Sequence, residues 1–169
     1  DVAQFSQELR LASPAEDRFN WVAGLYWYDL DLVGTSSQGG TRGVPLPAGM
    51  ILVNHQTRDI ETGSCAVFGQ ANFNLTEQLR LFAGARYTRE KYDLDYDLQG
   101  GRAPNEITWK PPLAFTASDD VDNTSWRIGA QYFPVPSTNL YFSVARGFKG
   151  VAVLTDTSVT PTTAFVPPE

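Results

Sequence analysis

Asp93, Asp95 and Asp97 recur at every second position, a spacing that puts three carboxylates on one side of an extended strand. Several carboxylate oxygens are what a hard cation such as Ca²⁺ requires. An EF-hand loop would carry glycine at its sixth position, where Leu98 stands. With Arg89 and Lys91 nearby on the same face, the set reads as a solvated charged rim. No metal is expected, and Asp93, Asp95 and Asp97 are the only candidate ligands. His55, the single histidine, lies in a polar stretch with Arg58, Asp59 and Glu61. No Ser–His–Asp set can be defended on one histidine. Cys65 has neither a second cysteine nor a neighbouring histidine, and no glycine-rich phosphate loop leads from a strand into a helix. Recognition rather than catalysis is expected, with no cofactor. Loops held on a rigid scaffold tend to carry binding, so His55, Arg58 and Trp109, all in long polar connections, are the candidate ligand contacts.

The elements that must position these residues are strands. From Cys65 to Arg89 the chain reads as a hairpin. Val67, Ala71, Phe73 and Leu75 alternate with Gln70, Asn72 and Asn74. After the turn residues Thr76, Glu77 and Gln78, the side chains Leu79, Leu81, Ala83, Ala85 and Tyr87 alternate with Arg80, Gly84, Arg86 and Thr88, and the strand runs on through Tyr92, Leu94 and Tyr96. Asn74-Leu75-Thr76 matches a glycosylation sequon but is better explained as part of this tight turn. A period of two makes one face apolar and the other polar. The same logic gives a first strand over residues 3–12, with Phe5, Leu9 and Leu11 opposite Ser6, Glu8 and Arg10. A second strand begins at Phe19 and carries Trp21, Ala23, Leu25 and Trp27 on one face. A fifth, over 123–133, sets Trp126, Ile128, Ala130 and Tyr132 against Ser125, Arg127 and Gln131. A sixth places Leu140, Phe142 and Val144 opposite Tyr141, Ser143 and Ala145 before a Thr/Pro-rich tail after Lys149. Residues 33–61 and 97–122 are expected to be long polar loops, with a short strand conceivable at 50–53. The segments 13–18, 74–78 and 134–139 are expected to be short turns. Short and long connections therefore alternate, which is the pattern of an outer-membrane barrel with short periplasmic turns and long extracellular loops.

Composition agrees with this and excludes other classes. The net charge of −6 argues against a nucleic-acid footprint. No run of 18 apolar residues exists to cross a bilayer as a helix, whereas a transmembrane β-strand needs only about 9–11 residues. On this reading the apolar side meets lipid through Phe19, Trp21, Trp27, Trp126, Tyr132 and Phe142. Glu8, Arg10, Arg80, Arg86 and Arg127 face the barrel interior. Arg146 falls in the lipid-facing phase near the outer interface, where it either snorkels to phosphate groups or is turned inward by a bulge.

Three stretches add a family. The sequence FGQANFNLTEQLRLFAGARYTREK at 68–91, FSQELRLASP at 5–14 and YFSVARGFKG at 141–150 resemble, in the same order, the barrel of TonB-dependent outer-membrane receptors. The likeness fades after Gly150, where VAVLTD replaces the further glycines that members often carry. It implies that residues 1–169 are part of a larger barrel, filled in the family by an N-terminal plug bearing the TonB box. Neither plug nor TonB box is recognisable here, and both ends of the chain are expected to lie mid-gene. Also implied is a Gram-negative outer-membrane location, with outer-membrane lipid and lipopolysaccharide, a small-molecule ligand and, through the plug, the inner-membrane TonB complex as partners. A ferric siderophore leads as ligand, ahead of cobalamin and saccharides. The arginines inside would pair with the plug or line a substrate path. The fold expected is all-β, an antiparallel up-and-down transmembrane β-barrel segment of six strands. Three alternatives stay open: a soluble or surface β-sandwich that binds carbohydrate through Trp21, Trp27, Trp109 and Trp126, a β-rich secreted hydrolase, and a small barrel assembled from several copies.

Overall fold

A computed structural model describes residues 1–14, 18–41, 43–154, 156 and 158–167. Its nine strands are β1 (Val2–Ala12), β2 (Phe19–Gly40), β3 (Ile51–Asn74), β4 (Leu79–Gln99), β5 (Glu106–Thr108), β6 (Leu113–Val135), β7 (Thr138–Arg146), β8 (Ala152–Val153) and β9 (Phe165–Val166). Seven of them form one sheet, in which six follow the order β1-β2-β3-β4-β6-β7, each antiparallel to its neighbour. The short β5 runs parallel to the start of β3, where β4, whose last partner on β3 is His55, no longer reaches.

Two expected loops are largely strand. The stretch 33–61 divides into the ends of β2 and β3, joined by residues 41–50, and 97–122 contributes to β4, β5 and β6, leaving 100–105 and 109–112. Backbone pairing runs without a register break from Phe19↔Phe73 to Gly40↔Leu52, although residues 34–40 of β2 are all Gly, Thr, Ser or Gln. The last turn is also shorter than expected, because β6 continues to Val135 and β7 starts at Thr138. Pro134, which has no N–H to give the ladder, coincides with the register shift between Tyr132 and Val135. The turn at 75–78 forms as expected, with the Leu75 and Thr76 amides donating to the Leu79 carbonyl. Thr76 Oγ1 accepts from the Gln78 and Leu79 amides. Of the expected turn at 13–18, residues 15–17 lie outside those described.

The sheet has two unlike faces. On the tryptophan face, cross-strand rows such as Phe19–Phe73–Leu81–Ala130–Phe142 and Trp21–Ala71–Ala83–Ile128–Val144 line up. On the arginine face, rows such as Arg10–Gly24–Phe68–Arg86–Ser125 do. Away from the short turns this polarity reverses. The tryptophan face turns acidic at Asp29, Glu61 and Asp93, while the arginine face turns apolar. Its Ile60, Leu94, Tyr96 and Leu98 pack with Val159 and Ala164 from the tail as the one hydrophobic core cluster among the described residues. β7 ends at Arg146, before Lys149 where the Thr/Pro-rich tail was expected to begin, and that tail carries the two-stranded unit β8–β9, packed on this end of the sheet.

Candidate functional site

The arginine face near the short turns is built from glycine, aromatic and arginine in layers. Gly24 lies directly opposite Phe68 and Gly129 opposite Phe82. A Cβ at Gly24 would stand 2.5 Å from Phe68 Cζ, and one at Gly129 2.4 Å from Phe82 Cζ. The missing side chains thus let each ring lie across the neighbouring strand. Each ring then carries a guanidinium: Arg127 sits 5.0 Å from the Phe82 centroid, and Arg86 and Arg10 both 6.0 Å from that of Phe68. Arg86 also covers Tyr26 at 5.0 Å and donates through Nε to Thr88 Oγ1 at 3.0 Å. Such contacts contribute about 0.5–1 kcal/mol each where exposed, enough to fix direction. Glu8 pairs with Arg10, so Arg80, Arg86 and Arg127 leave this half of the face with an excess of positive charge.

Above it lies the apolar wall. Tyr96 is fully buried and stacks on Phe115, with centroids 5.1 Å apart and planes at 26°. Its hydroxyl donates to the Asp156 carbonyl oxygen at 3.1 Å, and burial pushes its pKa up. At the lower margin Tyr92 donates to Glu90 Oε2 at 2.7 Å. Burial, then the Glu90 carboxylate, pushes its phenol pKa well up.

At the rim His55 does not lie in a loop but on β3, directly across from Ser37 of β2. Ser37 Oγ is 2.8 Å from its Nδ1, and Glu106 Oε2 is 2.9 Å from its Nε2. Glu106 also accepts from the Arg102 and Ala103 amides. The His55 hydrogen bond, then these amides, hold its carboxyl down at about 2. A Ser–His–acid chain exists after all, but Ser37 and Glu106 are 18 and 51 residues from His55 in sequence, and only strand register brings them together. Asn54, fully buried, does comparable work: its amide donates to the Gln99 and Lys110 carbonyls and its Oδ1 accepts from the Lys110 amide.

The three candidate ligand contacts do not gather. His55 and Arg58 have opposite parity on β3 and leave from opposite faces. Trp109 follows β5, its amide bonded to the Val53 carbonyl and its ring under Lys110 Nζ at 4.9 Å. Asp93, Asp95 and Asp97 share one face, spaced at about 6.6 Å along the strand, too far apart to close on one ion. Asp93 takes Lys91 Nζ at 2.6 Å and Asp97 the Gln99 amide at 2.7 Å. No group of three metal-ligating side chains occurs among the described residues. Glu8, Arg10, Arg80, Arg86 and Arg127 all lie on the arginine face. Phe19, Trp21, Trp27, Trp126, Tyr132 and Phe142 all lie on the other, between 39% and 71% exposed. Among the described residues no second sheet covers them, as a sandwich would require. Arg146 keeps the register of that face opposite Trp126, with no bulge between.

The family model described as TonB dependent receptor-like, β-barrel, matches residues 2–168. Among solved structures the chain is similar to the ferric yersiniabactin uptake receptor FyuA of Yersinia pestis, at 20% identity and a TM-score of 0.71, over 89% of this chain and 21% of that one. It spans about a fifth of that receptor. The ferric-catecholate import receptor Fiu of E. coli K12 aligns at 13% identity over 85% of this chain and 32% of that one, with a TM-score of only 0.40.

Proposed function

The chain belongs to the TonB-dependent receptor-like β-barrel family, and from that premise we propose that it forms part of the wall of an outer-membrane uptake receptor in a Gram-negative bacterium. The observation that carries this is the tryptophan face. An uncovered apolar surface that continues across six strands far exceeds what a water-soluble monomer exposes, and lipid is the environment in which it costs nothing. The arginine face then lines the interior, wet and positively charged below, apolar above. A scarce small molecule is the cargo, with a ferric siderophore as first choice, a choice supported by the shared fold of a receptor named for ferric yersiniabactin uptake. Lipopolysaccharide surrounds the projecting strand ends, and the TonB complex supplies energy through parts of the receptor other than this wall. The role is recognition and passage, with no bond made or broken.

The test is uptake of ⁵⁵Fe-loaded siderophores by cells that carry the intact receptor as their sole ferric receptor. Accumulation should fall to background on deletion of the receptor or of tonB. Uptake unchanged by both deletions would overturn the iron reading, and recovery of the intact receptor in the soluble fraction would overturn the membrane reading.

A further inference from the structure

We propose that the tail described at residues 151–154, 156 and 158–166 is a displaceable strap, which covers the apolar wall until an uncharged, ring-bearing ligand takes its place. The ligand half of this rests on the uptake reading; the strap's independence of the sheet does not. Its strands β8 and β9 pair only with each other and form a sheet of their own. Its turns satisfy themselves. The Leu154 amide donates to Ala164, and Thr163 to Thr160. The Ser158 amide and hydroxyl both donate to Asp156 Oδ1, and the Thr160 amide donates to Thr163 Oγ1. A segment that keeps these hydrogen bonds wherever it sits can leave as a unit without stranding the groups that make them.

Among the described residues, the strap is joined to the sheet by side-chain packing of Val159 and Ala164, with Val153 and Phe165 beside them, against Ile60, Leu94, Tyr96 and Leu98, by the Tyr96 hydroxyl bond to Asp156, and by attraction between Asp156 and Lys110. Apolar contact is non-directional, so another apolar body of similar size can replace it. Gly147, where an added Cβ would meet nothing within 4 Å, offers a pivot next to β7, before Gly150 packs against Glu90 and Tyr92, each 2.9 Å from an added Cβ there. The exposed wall would present the stacked Tyr96–Phe115 pair flanked by Ile60, Leu94 and Leu98. Arg58 lies in the same cross-strand row as Tyr96. That surface suits flat rings and offers little to a highly charged complex.

Amide exchange in the intact receptor, held in lipid nanodiscs, decides the matter. The strap amides of Leu154 and Thr163 should exchange at one shared rate, on the order of 100-fold faster than those of Leu94 and Leu98, as expected of a separate opening unit. Neutral tris(8-hydroxyquinolinato)iron(III) should accelerate strap exchange further. Neutral tris(acetohydroxamato)iron(III), which lacks rings, should not. Val159→Asp should release the strap without ligand. Should that variant misfold, Tyr96→Phe removes one hydroxyl and should speed strap exchange about fivefold while β4 stays unchanged. Strap amides as protected as those of β4 overturn the proposal, as does a quinolinate chelate that leaves their exchange unaltered, bound or not. Loss of the uptake reading would appear separately, as ⁵⁵Fe accumulation indifferent to tonB.

Discussion

Asn54 shows how one side chain stands in for missing backbone pairing. It makes three hydrogen bonds, to the Gln99 carbonyl and to both the carbonyl and the amide of Lys110, where β4 has ended and β6 has not begun. Asn54→Ala should therefore cost about 1–3 kcal/mol locally, read as faster protease cleavage within residues 100–112 with the membrane strands intact. Glu106 gives the same region a pH dependence. Its folded pKa lies near 2, below the ordinary 4.5. Its contribution is complete above about 4.5 and fades as pH falls towards 2. Protease protection of 100–112 should weaken across that acid window, and Glu106→Gln should remove the step. Neither role was legible in the sequence. His55 stood out as the only histidine, but its partners Ser37 and Glu106 became neighbours through register in stretches that carry no apolar alternation.

At the scale of strands, the alternation that revealed the hairpin at 65–89 and the run of its second arm on to Tyr96 hid the length of its first arm, which begins at Ile51. On β4 the apolar side chains occupy odd positions up to Tyr87 and even positions from Tyr92 to Leu98, and β2 changes in the same way between Trp27 and Leu30. A count of period two breaks at that inversion although the backbone ladder does not. The apolar positions after the switch face the strap, whose own pattern, two short apolar runs around a Thr/Pro-rich turn, was too brief to call. The glycine–aromatic pairs were equally invisible, since nothing in a sequence sets Gly129 opposite Phe82. A Cβ on Gly129 would also stand 2.4 Å from the Phe142 carbonyl oxygen. That is backbone and cannot turn aside. Gly129→Ala should destabilise the receptor by about 1–3 kcal/mol, measured by urea titration in detergent, and Phe82→Leu in the same molecule should recover only the part due to the ring.

For the whole molecule, β1 and β7 each present an edge with no neighbour among the described residues. In hydrocarbon every unpaired N–H or C=O costs several kcal/mol, so residence in a membrane requires further strands on both sides. The switch from apolar to polar on the tryptophan face also measures an angle. The last large apolar side chain before it is Phe5 on β1, Trp27 on β2, Val67 on β3, Tyr87 on β4, Trp126 on β6 and Val144 on β7. Traced through the registers, these do not share a row but descend like a stair, by eight residues over five strand-to-strand steps. That is roughly 26 Å along the strands against about 24 Å across them, an inclination of somewhat under 50° and close to the ~45° at which membrane strands lie. Leu9 and Thr124 occupy one row yet would lie at different depths. Leu9→Arg should cost about 2–4 kcal/mol and Thr124→Arg no more than about 1, a contrast measurable by unfolding from lipid vesicles. On the proposed membrane reading, the bilayer plane is thus inscribed obliquely in the side chains, and it can be recovered from the sheet without any lipid in view.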